Sequence, residues 1–233
     1  MIEKSQRNAA RVLGVTYPLT FVIVTIAFIR FYAPLLVWNN LPETARNFFA
    51  HERTFRIYIA SALIYGVGLL VLLTVLYLIL KPMSRGLALF AAFCRLVYAF
   101  LWFVMLIDLF GALRVMGSAN LSAAFEPDRL PTLAGLQLAS GFDAYYIGLG
   151  FYGLGTVIFS YLWLKSRYIP RALAAWGVLS SVFAGFCAFA YLLYPDFGKV
   201  VSVNWYEMPI GLFEMVTSLW VLARGLRPAV PQG

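Results

Sequence analysis

Residues 51–85, HERTFRIYIASALIYGVGLLVLLTVLYLILKPMSR, set a long uncharged run between two charged brackets. No charged residue occurs between Arg56 and Lys81, and about 24 residues at 1.5 Å each give roughly 36 Å, enough to cross a hydrocarbon core of about 30 Å with some tilt. The run predicts a membrane-spanning helix. The other apolar runs are of similar length. Taken in order they predict an all-α integral membrane protein with six transmembrane helices, at about 12–33, 56–80, 87–113, 142–164, 172–194 and 209–223. A short interfacial helix is expected between the first and second spans, and the spans leave room for a single polytopic membrane domain over 1–233.

Composition agrees. Hydrophobic residues make up 62% of the chain and charged residues 12%, with a mean hydropathy of +0.82. Soluble domains carry about a quarter charged residues, so a water-soluble fold is excluded. The net charge of +8 does not point to nucleic acid, because the Lys and Arg residues cluster at span ends and form no basic stripe with interleaved aromatics. Cys94 and Cys187 both fall inside apolar runs, which argues against a disulfide framework.

The N-terminal MIEKSQRNAAR leads into an apolar run longer than a signal peptide's core of about 7–15 residues and without a clear small-x-small cleavage site. A retained first helix is expected there, mildly kinked by Pro18. In NNLPETARNFFAHERTFR, apolar Ala45, Phe48 and Phe49, then Phe55, are spaced for a short helix lying in the interface, with Thr44 placed to cap it, its aromatics toward lipid and its charges toward water. From Arg114 to Ala139 the composition loosens around EPDRLP, which predicts the longest connection.

Basic residues orient the chain. Lys4, Arg7 and Arg11, then Lys81 and Arg85, then Lys165, Arg167 and Arg171, then Arg224 and Arg227 fall on one side, with Glu3 as the only acid. The other side mixes Arg46, Arg53, Arg129 and Lys199 with Glu43, Glu52, Glu126, Asp128, Asp196 and Glu207. Positive charge marks the cytoplasmic side, so both termini are expected inside, with Asn40, Pro127 and Lys199 outside.

Several familiar patterns carry no chemistry here. GLGFYGLG has the spacing of a dinucleotide fingerprint but lies inside a span, where Gly148 and Gly155 serve helix packing. Gly177, Ser181 and Gly185 form a small-residue stripe on the fifth span. His51 is the only histidine, so neither a three-histidine nor an HExxH metal site can be built in one chain. Cys94 beside Arg95 is better read as packing than as a reactive thiolate, which membrane burial opposes.

Charge inside the spans is the informative residue of this reading, because an Arg or Asp at a helix centre costs roughly 2.5–3.5 kcal/mol on insertion scales. Arg95 lies ten residues after Arg85, and Glu214 ten before Arg224, which sets each about 15 Å above the cytoplasmic boundary. They are level and opposite in sign, and a direct or water-bridged pair is expected. Tyr98 and Trp102 follow on roughly the face of Arg95, where an aromatic stripe at this spacing either lines a cavity with it or, more often, belongs to the core. Similar counting puts Glu52, Arg56, Asp108 and Asp143 at one level near the outer face.

Three blocks, TARNFFAHERTFR, LYLILKPMSRGLALFAAFCRLVYA and GLGFYGLGTVIFSYLWLKSRYIPRALAAW, resemble in order and spacing the bacterial membrane family catalogued as domain of unknown function 4386. The matching positions are Thr44, Ala45, Glu52 and Arg56, then Lys81, Pro82 and Arg95, then Ser166, Tyr168, Pro170 and Arg171. The chain departs from that pattern at Ser160 and Ala174, where glycine is usual. The resemblance implies a small polytopic membrane fold and no particular activity; the bacterial cytoplasmic membrane is the expected location.

Charge at helix interiors without catalytic motifs favours a binding or transport module over an enzyme. Its ligand would be a small amphiphile or membrane lipid held between the helices, contacted by Arg95, Glu214, Tyr98 and Trp102 deep in the bundle and by Glu52, Arg56, Asp108 and Asp143 at the outer mouth. The alternatives are an intramembrane enzyme using Glu52 or Asp108 as acid or base on a lipid, and a scaffold or complex subunit. No cofactor, metal or nucleic acid is called for, and the sequence assigns no oligomeric state.

Overall fold

The structure, a computed structural model, describes residues 2–126, 129–194 and 196–227, and its regular elements are all helical among these. The long helices are α1 (Lys4–Ala27), α3 (Glu52–Leu80), α4 (Arg85–Met116), α6 (Leu130–Ser166), α7 (Arg171–Leu193) and α9 (Asn204–Arg224). Short helices α2 (Leu41–Ala50), α5 (Ala119–Ala124) and α8 (Phe197–Val200) lie in the connections. A π-turn (Phe28–Tyr32) and a 3-10 turn (Ala33–Leu35) extend α1.

Among the described residues five helical stretches are long and apolar enough to cross a membrane, Lys4–Leu35, Glu52–Leu80, Arg85–Met116, Leu130–Ser166 and Arg171–Leu193. α9 is of spanning length but is not among them; it carries Glu207, Glu214 and Arg224. Helix α7 shows why lipid is the fitting solvent. Its outward residues are large and apolar, with Leu179 and Phe186 both 71% exposed, whereas its buried face is Ala174, Gly177, Ser181, Ala184 and Ala188. A water-soluble helix buries its large apolar residues. This one shows them to the surroundings and saves its small ones for close helix contact.

Three local expectations change. Asn40, not Thr44, caps α2, its side chain accepting from the Glu43 N–H at 3.1 Å. Pro42 needs no amide partner in the first turn, so the helix starts early enough to put Thr44 inside it, where its hydroxyl accepts from Val37 N–H at 2.9 Å. Phe48 faces protein rather than lipid, stacked on Phe55 at 3.9 Å, while Phe49 remains exposed. The connection before the fourth long helix is shorter than expected, because α6 starts at Leu130 and Pro131 again fits a first helical turn. Pro127 and Asp128 lie outside the described residues.

The chain divides into two compact units. One is formed by Met1–Thr20, Gly68–Ala99 and Tyr146–Gly233. In it α7 packs along α9, and Tyr17 of α1 donates its hydroxyl to Gly211 O of α9 at 3.3 Å. The Gln6 amide donates to Ile79 O at 2.9 Å and to the Tyr168 hydroxyl at 3.2 Å, and Arg227 N–H reaches Tyr168 O at 3.0 Å. The start of α1, the end of α3, the α6–α7 turn and the chain after α9 thus meet at one end of this unit, and so do the four basic clusters. The other unit is formed by Phe21–Val67 and Phe100–Tyr145. Its core includes Tyr32, Phe48, Phe55 and Tyr58, with Tyr32 and Tyr58 ring centroids 4.5 Å apart.

Candidate functional site

Helix α4 begins at Arg85 and α9 ends at Arg224, so Arg95 and Glu214 each stand ten residues in from an end. In the first unit the Arg95 guanidinium donates directly to the Glu214 carboxylate. Their side chains are only 6% and 11% exposed. Tyr152 of α6 completes the setting, with Arg95 Cζ 4.0 Å from its ring centroid, and Tyr98 packs against the same ring at 4.8 Å. A cation over a desolvated ring contributes up to about 2 kcal/mol, which offsets part of the cost of removing the guanidinium from water. Gly155 makes the approach possible. A Cβ there would stand 2.9 Å from Ala91 O and 3.1 Å from Arg95 Cγ, so any side chain would push α6 away from α4 at the ion pair.

A cavity of about 30 Å³ adjoins the pair, lined by Tyr17, Thr156, Trp163 and Thr217 among others. Tyr98 and Trp102 are not in its wall. Tyr98 reaches Arg95 through Tyr152, as above. Trp102 belongs to the other unit, where its indole N–H donates to Ala62 O at 2.9 Å and its ring packs against Tyr65 at 4.9 Å.

In that second unit the expected outer group is distributed over several partners. Arg56 Nε donates to Glu52 at 2.7 Å, one helical turn away, and its guanidinium lies 5.6 Å from the Phe110 ring centroid. Asp108 is buried and accepts from the Gln137 amide of α6, while its second oxygen, Oδ2, has no hydrogen-bond partner among the described residues. Asp143 is exposed. An open groove of about 700 Å³ runs along the α2–α3 elbow, lined by Phe49, Glu52, Arg53, Arg56, Ile57 and Ala60 with Ala50. It combines two guanidinium groups with an exposed apolar wall.

Among the described residues no group of three or more His, Cys, Asp or Glu side chains gathers to hold a metal. His51 Nδ1 lies 3.1 Å from Asn47 O, at the end of α2. Near α8, Lys199 donates to Asp196 at 2.8 Å, and this hydrogen bond holds the Asp196 carboxyl below and the Lys199 ammonium above their ordinary ranges.

Tyr152, Thr156, Thr217 and Gln137 belong to these sites although no charge or motif marks them. Only helical phase could have found the first three: Tyr152 and Thr156 are four residues apart on α6, and Glu214 and Thr217 three apart on α9, so each pair shares a face, whereas Gln137 lies in a stretch that reads as a connection.

Neither the curated proteins nor the solved structures yield a match to this chain. A family model does match, over residues 12–225, and the chain belongs to that family, described as domain of unknown function (DUF4386).

Proposed function

We propose that this is a six-span protein of the bacterial cytoplasmic membrane, with both termini cytoplasmic and the whole of 1–233 acting as one domain. The four basic clusters share one end of their unit, which agrees with the rule that positive charge stays inside. With the start of α1 and the end of α9 at that end, an even number of crossings is required. α9 then supplies the sixth, since 21 residues at about 1.5 Å each match a core of about 30 Å. Helix α2 lies in the outer interface. An impermeant thiol reagent applied to intact cells should leave a cysteine at Met83 unlabelled in a background without Cys94 and Cys187; labelling would reverse the topology.

In function the protein is a binding or transport module for a small amphiphile or lipid, and the groove at the α2–α3 elbow is the observation that carries this. The elbow sets Arg53 and Arg56 beside the exposed apolar Phe49 and Ile57, the pairing of charge and apolar surface that an amphiphile presents, whereas the cavity of about 30 Å³ beside Arg95 is too small for one. A headgroup would meet Arg53 and Arg56, and a chain would lie along Ile57 and Ala60. Arg95 and Glu214 then fix α4 against α9 and do not touch the ligand. Native mass spectrometry from nanodiscs of mixed zwitterionic and anionic phospholipid tests it. Lipid adducts retained by the wild type should be lost in Arg53→Gln with Ile57→Gln; equal retention would mean that no seat exists at the elbow.

A further inference from the structure

The cavity beside the ion pair has the size and wall of a hydration site. At about 30 Å³ it has room for one or two water molecules, each of which needs about 10–15 Å³ of such volume. Thr217 is 4% exposed, and its hydroxyl oxygen is buried with no hydrogen-bond partner among the described residues. A buried hydroxyl left in that condition is destabilising, and a guest that accepts its proton removes the penalty. Thr156 gives its own proton to Tyr152 O at 2.8 Å, which leaves its oxygen lone pairs to receive a donor from the cavity. The wall therefore offers both a donor and acceptors.

Charge selects among small guests. Arg95 and Glu214 both line the cavity and cancel, so a metal cation or an anion placed there would bring an uncompensated charge against two side chains that are themselves almost fully shielded. A neutral molecule that both donates and accepts brings none. We propose that the cavity binds one or two water molecules, which accept from Thr217 and donate to Thr156 Oγ1 and the Glu214 carboxylate. The ion pair is then part of a wet polar network and not a dry contact. This inference is independent of any ligand at the elbow.

Radiolytic hydroxyl-radical footprinting of the protein in nanodiscs reads bound water directly, because radicals formed from an internal water oxidise the side chains beside it. Trp163 and Phe213 line the cavity and are buried, so bulk radicals do not reach them. Brief irradiation should oxidise both in the wild type. Thr217→Val, which keeps the shape and removes the hydroxyl, should reduce that oxidation several-fold, and Thr217→Ser should restore it; Thr156→Val gives the same reading from α6 if the α9 variant does not fold. Unoxidised Trp163 and Phe213 in the wild type would overturn the proposal, as would oxidation indifferent to both valine variants. Oxidation that falls when sodium replaces choline in the buffer would show a cation as the occupant and overturn it equally.

Discussion

Two Arg–Glu pairs in this molecule have the same chemistry and opposite surroundings. Arg95 and Glu214 meet across two helices with side chains 6% and 11% exposed, whereas Arg56 and Glu52 meet one turn apart on a single helix with side chains 53% and 42% exposed. The first pair needs the fold to bring it together. The second needs only a helix. Burial strengthens the mutual attraction of two charges but also makes each far more costly alone, while an exposed pair exchanges one well-hydrated state for another. The lesson is that distance says little about what an ion pair is worth. What distinguishes them is the cost of leaving one partner behind.

That cost gives the largest expected effect. Arg95→Met leaves a buried carboxylate without its cation, and Glu214→Gln leaves a buried guanidinium without its anion, so each single change should destabilise by about 3–5 kcal/mol. The double variant removes both charges and should lose markedly less than the sum. Thermal melting of the four proteins in one detergent supplies the cycle, and strictly additive losses would break the comparison by showing that the two residues do not interact.

The level agreement of Arg95 and Glu214 was legible because helical rise is constant and charged brackets mark helix ends. Counting from Arg85 and Arg224 needs nothing else, and α4 and α9 do begin and end at those residues. Counting fixes depth and not direction around the axis. It could not foresee that Tyr152 would cover Arg95, that Thr217 would share the cavity, or that Asp108 would take Gln137 as its partner. Gln137 was hidden for a second reason, since Pro131 and the polar residues around it read as a connection and α6 in fact runs through them. Phe48 and Thr44 show the same limit at the elbow: the sequence marks a short amphipathic helix, but that Phe48 meets Phe55 and Thr44 meets Val37 depends on how the connections on either side fold back on it. The overall class was the most legible feature, because a solvent that penalises charge writes its constraint into long stretches of sequence.

The smallest effect belongs to the exposed pair, and it sharpens the comparison from the other side. Glu52 stands N-terminal to Arg56 with the favourable spacing of four residues and lies in the first turn of α3, where a carboxylate also complements the helix dipole. Both side chains keep about half their surface open, so neither is stranded when the other is removed. Glu52→Gln and Arg56→Gln should each cost well under about 1 kcal/mol, and their coupling should be about 0.3–0.5 kcal/mol, the usual worth of an exposed helical pair. Salt should erode that coupling, since its Debye length falls from about 10 Å at 0.1 M to about 3 Å at 1 M, and should leave the Arg95–Glu214 coupling nearly intact. Melting cycles for both pairs at low and high salt measure this directly. A coupling above about 2 kcal/mol between Glu52 and Arg56, unmoved by salt, would place that pair in the energetic class of buried ones and remove the distinction between the two sites.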